Sequence, residues 1–233
     1  MADDHGDLQH RYHRLEEEYR RFVHGVSHYL KAPITALIGY ASLLAKQGPE
    51  SPEWDQYLQR IVDNSRLLDS MIEELLLVSR LGEPSPGPCS LDHAVHEALR
   101  PLHRQLEDRE IRLWVQPGTP PVCMSEQHLV QLCSRVLGNA VRYSPPGGRV
   151  SVGFLDGEYY VSDRGPGMSE EVRGRAFDMF FTTEKKGLEH TGAGLFIAAR
   201  IARLYGGEIR LESSPGNGAT VLFRIPHRTP RTA

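Results

Sequence analysis

From Leu8 onward, apolar residues recur at Tyr12, Leu15, Tyr19, Phe22, Val26, Leu30, Ile34, Leu37, Ala41 and Leu44, in steps of three and four. That spacing keeps a single stripe on one side of a helix, and it predicts one long amphipathic helix over about residues 7 to 46. The stretch Gln47-Gly48-Pro49-Glu50-Ser51-Pro52 cannot continue it. A second helix is predicted over 53 to 81, with Trp54, Leu58, Ile61, Leu68, Ile72 and Leu75 on one seam and Val62, Met71 and Leu76 widening the stripe. The two form an antiparallel hairpin. A lone hairpin of this length leaves much of its stripe in water, so two hairpins are expected to pair as a four-helix bundle, which makes the chain a homodimer.

Leu81-Gly82-Glu83-Pro84-Ser85-Pro86-Gly87-Pro88 breaks every helical pattern and reads as a linker. A second domain begins near Cys89. It carries a predicted helix from Leu91 to Glu107, a strand from Ile111 to Val115 and a helix from Ser125 to Arg142. Strands follow at Arg149 to Phe154 and Glu158 to Ser162, joined by an Asp156-Gly157 hairpin turn. A helix from Gly194 to Tyr205, stopped by Gly206-Gly207, precedes two last strands at Glu208 to Ser213 and Ala219 to Ile225. The expected class is α+β: a helical hairpin over 1–81, a linker over 82–88, a two-layer α/β sandwich over 89–228 and a tail over 229–233.

Charge narrows the partners. A formal net charge of -3, with no basic run apart from short clusters such as Arg11 to Arg21, which alternates with Glu16, Glu17 and Glu18, gives no reason to expect nucleic acid or an anionic membrane surface. No apolar run approaches the ~20 residues of a membrane span, and the polar start Met1-Ala2-Asp3-Asp4-His5 is no signal peptide. No membrane contact is therefore expected within the chain. Cys89, Cys123 and Cys133 are odd in number and unpatterned, which fits reduced thiols in a cytoplasm better than a disulfide framework.

Several side chains stand out against this background. At about 100° per residue His28 falls on the flank opposite Val26 and Leu30, so it is expected to be exposed. Pro33 lies inside the same helical pattern, where it frees the carbonyl of Tyr29 and should bend the helix. His24 and His28 have the spacing of a metal pair, but Gly25 stands where a zinc-protease helix carries glutamate, and no third ligand is evident. In the second domain, Asn139 shares a helix stripe with Leu132 and Val136, with Arg142 and Tyr143 one turn on. Asp163-Arg164-Gly165-Pro166-Gly167 follows a predicted strand, and its glycines permit close backbone approach. Thr191-Gly192-Ala193-Gly194-Leu195 opens a helix, whose free N–H groups and positive dipole end suit an anion.

Ser27-His28-Tyr29-Leu30-Lys31-Ala32-Pro33 resembles the phosphoacceptor box of sensor histidine kinases, Ser-His-(Glu/Asp)-Leu-(Arg/Lys)-x-Pro. Stretches of the second domain resemble, in order, the nucleotide boxes of the histidine kinase and Hsp90-type ATPase superfamily. They are Leu137 to Ser144, Asp163 to Gly167, Ala176-Phe177-Asp178-Met179-Phe180-Phe181-Thr182-Thr183, Thr191 to Leu195, and Pro215-Gly216-Asn217-Gly218-Ala219-Thr220.

The resemblance implies ATP-dependent autophosphorylation of His28, with Tyr29 and Lys31 at the reacting site, then transfer to an aspartate on a response regulator receiver domain. It further implies that Asn139 ligates Mg²⁺, that Asp163 accepts from the adenine amino group, and that Thr220 supports Asp163. Arg142, Tyr143, Gly165 and Gly167 would line the nucleotide. Phe181, Thr182, Thr183 and Lys185 belong to the phenylalanine box and the lid after it, and Thr191, Gly192, Ala193, Gly194 and Leu195 to the phosphate cradle.

Two positions depart from the family pattern. Arg135 stands where a second Asn is usual, and Tyr29 where Glu or Asp is usual. The second departure motivates an alternative, a catalytically weakened kinase serving as an ATP-binding dimeric scaffold. An Hsp90- or gyrase-type ATPase would need a transducer domain after the boxes.

Overall fold

A computed structural model describes residues 2–183 and 190–226. The chain forms two compact units, Met1–Leu76 with Asp178–Ala193, and Leu77–Phe177 with Gly194–Ala233.

The first unit is built on α1 (Ala2–Gln47) and the greater part of α2 (Trp54–Ser79). Gly48, with φ of 73°, ends α1 at the expected break, and its amide closes the last turn on the Leu44 carbonyl at 3.0 Å. Pro33 sits inside α1, which continues through it. Two residues on, the Thr35 hydroxyl donates to the Lys31 carbonyl at 2.8 Å, the i−4 back-bond of a helical threonine. Tyr40 and Tyr57 stack obliquely between the two helices at 5.8 Å, and Leu44 and Met71 are buried. The side chains of Leu8 and Leu15 lie outside the described part of the seam. Ile34, Ile38, Leu58, Val62, Ile72 and Leu76 remain exposed on the single chain.

The second unit is a five-stranded mixed sheet under helices. Its strands are β2 (Arg112–Val115), β4 (Arg149–Leu155), β5 (Glu158–Ser162), β6 (Glu208–Ser213) and β7 (Ala219–Arg224), in the order β2-β4-β5-β7-β6. Only β2 and β4 run parallel. Asp156 and Gly157 both take positive φ, 51° and 85°, the geometry that a two-residue hairpin turn requires. The helical layer consists of α3 (Leu91–Leu99), α5 (Glu126–Tyr143) and α7 (Gly194–Leu204), with α5 packed between the other two. Leu129, Leu132, Val136, Leu137 and Val141 bury one face of α5, and Ile197 and Ile201 do the same for α7.

Three details differ from expectation. The helix expected from Leu91 to Glu107 is α3, a 3₁₀ turn at Arg100–Leu102 and a short α4 (His103–Asp108). Pro101 has no N–H to donate, which interrupts the ladder there. A short α6 (Glu170–Arg175), N-capped by Ser169, was not expected. A two-stranded ribbon pairs β1 (Pro88–Cys89) with β3 (Val122–Cys123), so the end of the expected linker is held by the second unit.

Candidate functional site

His28 is exposed on α1, as its position opposite Val26 and Leu30 requires. Its ring meets that of Tyr29 edge-on at 5.6 Å, and Tyr29 meets Phe180 edge-on at 6.5 Å. Phe180 is fully buried and carries φ of 67°, a left-handed conformation that is a genuine outlier for a bulky residue. Lys31, three residues after His28, is exposed. Among the described residues no group of three His, Cys, Asp or Glu could hold a metal ion, so the His24 and His28 pair has no third ligand there.

In the second unit, glycines bring three loops together. A Cβ at Gly165 would stand 2.6 Å from the Tyr143 carbonyl oxygen, so the end of α5 lies directly on the loop after β5. Gly167, at φ of 69°, would place its Cβ on the Ser214 carbonyl oxygen, and Gly218, at φ of 70°, on that of Asp163. Each of these approaches is open only to a residue without a side chain. The cradle so formed holds Asp163, which is half-buried. Its Oδ1 accepts from the amides of Gly165 (2.8 Å) and Ala219 (3.2 Å). Burial pushes its carboxyl up from the ordinary value, against the pull of those two amides.

Thr220 Oγ1 pairs with Ser162 Oγ at 2.8 Å, and the Asp163 carboxylate accepts from the neighbouring Ala219 amide. The reason lies in register, because Ser162 and Thr220 face each other across the β5–β7 ladder. Sequence reasoning also missed Arg109. Its guanidinium donates to the carbonyls of Val141 (2.8 Å), Arg142 (2.6 Å) and Ser144 (2.6 Å), closing the C-terminal end of α5. Arg142 and Tyr143 are thereby fixed in their backbone.

The opening of α7 is the second feature of this unit. Gly194 lies beside Asn139, whose amide nitrogen and oxygen are 3.7 and 3.8 Å from the place a Cβ would occupy. Leu195 is buried in the helical layer. Asn139 itself is half-buried on α5, on the flank of the apolar stripe.

The remaining expected residues fall in the first unit. Gly192, with φ of 75°, would set a Cβ 2.6 Å from the Phe181 carbonyl oxygen, and the Ala193 amide donates to Thr191 Oγ1 at 3.2 Å. Thr182 and Thr183 are exposed, and Phe181 is half-buried. Lys185 and most of the expected lid lie outside the described residues.

Two family models match the chain in tandem. The His Kinase A (phospho-acceptor) domain matches residues 18–84, and the histidine kinase-, DNA gyrase B- and HSP90-like ATPase matches 124–229. Among curated proteins, the sensor-like histidine kinase SenX3 of Mycolicibacterium smegmatis is 32% identical over 94% of this chain and 60% of its own length. The methanogenesis regulatory histidine kinase FilI of Methanothrix harundinacea is 30% identical over 95% of this chain and 26% of its own. The chain thus spans less than two thirds of the length of either relative. Among solved structures, full-length ShkA in complex with AMPPNP is 25% identical over 84% of this chain and 43% of that one, with a TM-score of 0.56. Histidine kinase ThkA in complex with response regulator protein TrrA matches 99% of this chain and 67% of that one at 22% identity and a TM-score of 0.67, a likeness of fold.

Proposed function

The chain belongs to the histidine kinases, and from that membership we propose that it moves the γ-phosphoryl group of ATP onto His28 and then onto an aspartate of a response regulator receiver domain. The observation that carries this reading is the tandem match, with exposed His28 inside the phospho-acceptor segment and the Asp163 cradle inside the ATPase segment. AMPPNP in ShkA and the regulator TrrA on ThkA lend the ATP and the partner their support.

In the proposed reaction an unprotonated ring nitrogen of His28 attacks the γ-phosphorus in line, the bond from phosphorus to the bridging oxygen breaks, ADP leaves, and the ring proton passes to solvent. Asp163 spends Oδ1 on two backbone amides, which leaves Oδ2 for the adenine amino group. A carboxylate only accepts, so it selects a base that presents a donor there. Gly194, with no side chain, leaves room for an anion at the start of α7. Asn139 offers a hard amide oxygen beside that glycine, a fit for Mg²⁺ held chiefly by phosphate. When bound, Mg²⁺ neutralises charge on the triphosphate. Lys31 would put its ammonium on the same helix flank as the phosphorylated imidazole.

Incubation with γ-labelled ATP and Mg²⁺ is the test. An acid-labile, base-stable label on His28, absent from His28→Gln, is the expected result, and an unlabelled wild type overturns the proposal. Asp163→Asn should weaken ATP binding by about 1 to 3 kcal/mol through loss of a charge-assisted hydrogen bond. Titration calorimetry giving an unchanged affinity would remove Asp163 from the adenine site.

A homodimer is part of the same proposal. Ile34, Ile38, Leu58, Val62, Ile72 and Leu76 are among the large apolar side chains of α1 and α2 that stand exposed on the single chain, these six at 39 to 63%, and pairing two hairpins would cover them. A fragment beginning at Leu81 should sediment as a monomer, whereas the full chain sediments as a dimer. A dimeric fragment would move the interface out of the hairpin. No helix among the described residues is long and apolar enough to cross a membrane. The free state of all three cysteines supports a cytoplasmic location.

A further inference from the structure

Tyr205 follows α7 and is only 6% exposed, yet its hydroxyl must find partners inside the fold. It finds them on two segments, the linker and the start of α5. Its oxygen accepts from the amides of Ser125 (3.2 Å) and Ser85 (3.4 Å), and lies 2.7 Å from His128 Nδ1 and 3.1 Å from Ser125 Oγ. The His128 ring meets the Tyr205 ring edge-on at 5.6 Å and also hydrogen-bonds the Leu81 backbone. A neutral imidazole has one N–H and one lone pair. Donation to the Leu81 carbonyl and acceptance from the Tyr205 hydroxyl use both. A further fastening follows, where Pro88 and Cys89 pair with Cys123 and Val122 and the Cys89 thiol donates to the Met124 carbonyl at 2.9 Å.

The segment between the two family domains is therefore held at Leu81, at Ser85 and at Pro88–Cys89. Because α2 ends at Ser79, Arg80 alone separates that helix from the first fastening. The anchors matter for what they belong to. Ser125 caps α5, which carries Asn139, and Tyr205 ends the turn after α7, which opens at Gly194.

We propose that Tyr205 is a positioning residue for phosphorylation of His28: with His128 it straps residues 81–85 to the ends of α5 and α7, and so shortens the tether between the phosphoacceptor hairpin and the nucleotide. This rests on the histidine kinase reading. A tether's effective concentration falls roughly as the −3/2 power of its length. Freeing the chain as far as the Pro88 pairing, about eight residues in place of one, thus dilutes the nucleotide seen by His28 by about tenfold or more. The ATP site itself keeps its contacts, since neither Asp163 nor the glycine cradle is bonded to this network.

The test uses the full chain with Tyr205→Phe, which keeps the buried ring and removes the hydroxyl, and His128→Ala, which removes the Leu81 bond. In both, hydrogen exchange across residues 81–88 should rise at least tenfold and ATP affinity should stay within twofold. The rate of His28 labelling at saturating ATP should fall at least threefold. Unchanged exchange would show that no strap exists, and fast exchange with an unchanged labelling rate would show that the strap does not position. A wild type that takes up no label overturns the kinase reading and the positioning role with it, while exchange at residues 81–88 still reports on the strap.

Discussion

Gly167→Ala is expected to cost the chain roughly 2 to 5 kcal/mol of stability, from left-handed strain and overpacking together. Gly167 holds φ of 69°, and its missing side chain leaves the space taken by the Ser214 carbonyl. The three nearest atoms to the added methyl are all backbone, with the Gly218 carbonyl oxygen 3.2 Å away, so turning a side chain aside does not relieve the clash. The loop after β5 must then separate from the turn before β7, and Asp163 moves with it. ATP binding should fall at least tenfold in the fraction that remains folded. Gly216→Ala is the control, because Gly216 has φ of 81° with nothing within 4 Å of a Cβ. It should lose only about 1 to 2 kcal/mol, the cost of the conformation alone. Urea unfolding of both variants separates the two contributions, and equal losses would mean that the loop contact does not hold the cradle.

The hairpin was legible because its period is long and uninterrupted, and the Asp156-Gly157 turn because its two residues tolerate the positive φ that they adopt. Elements below the reach of periodicity were not legible. β1 and β3 are two residues each, and α6 is six, although Ser169 before Glu170 and Glu171 is a capping signal that could have found it. The stripe from Leu91 onward ran past Pro101 because apolar spacing takes no account of a missing donor.

At the site, the glycines and Asp163 were visible as a motif, whereas their fastenings were not. Arg109 reaches carbonyls 32 to 35 residues away, and no local pattern encodes such a partner. The Thr220 hydroxyl went to Ser162 because strand register decides which hydroxyls face each other. The linker shows the same limit. Its prolines and glycines say that no helix forms, but two of its attachments are made through side chains of distant segments, Tyr205 and His128.

Tyr29→Glu is expected to accelerate labelling of His28 at least several-fold while leaving ATP affinity unchanged. A carboxylate next to the acceptor can hold the imidazole in the tautomer that frees one nitrogen to attack, and can take up the proton as the N–P bond forms. A neutral phenol is a far poorer proton acceptor than a carboxylate. In this fold the Tyr29 ring packs edge-on to His28 and to buried Phe180. Losing one aromatic contact costs about 0.5 to 1.5 kcal/mol, at most about tenfold if all of it falls on the rate. General-base help is worth about 10²- to 10⁴-fold, so the gain outweighs the loss. Tyr29→Phe separates the two effects, since it keeps the ring and removes the hydroxyl, and it should label far more slowly than Tyr29→Glu. A Tyr29→Glu chain that labels no faster than wild type would show that proton removal does not limit the reaction at His28, and that aromatic packing at position 29 suffices.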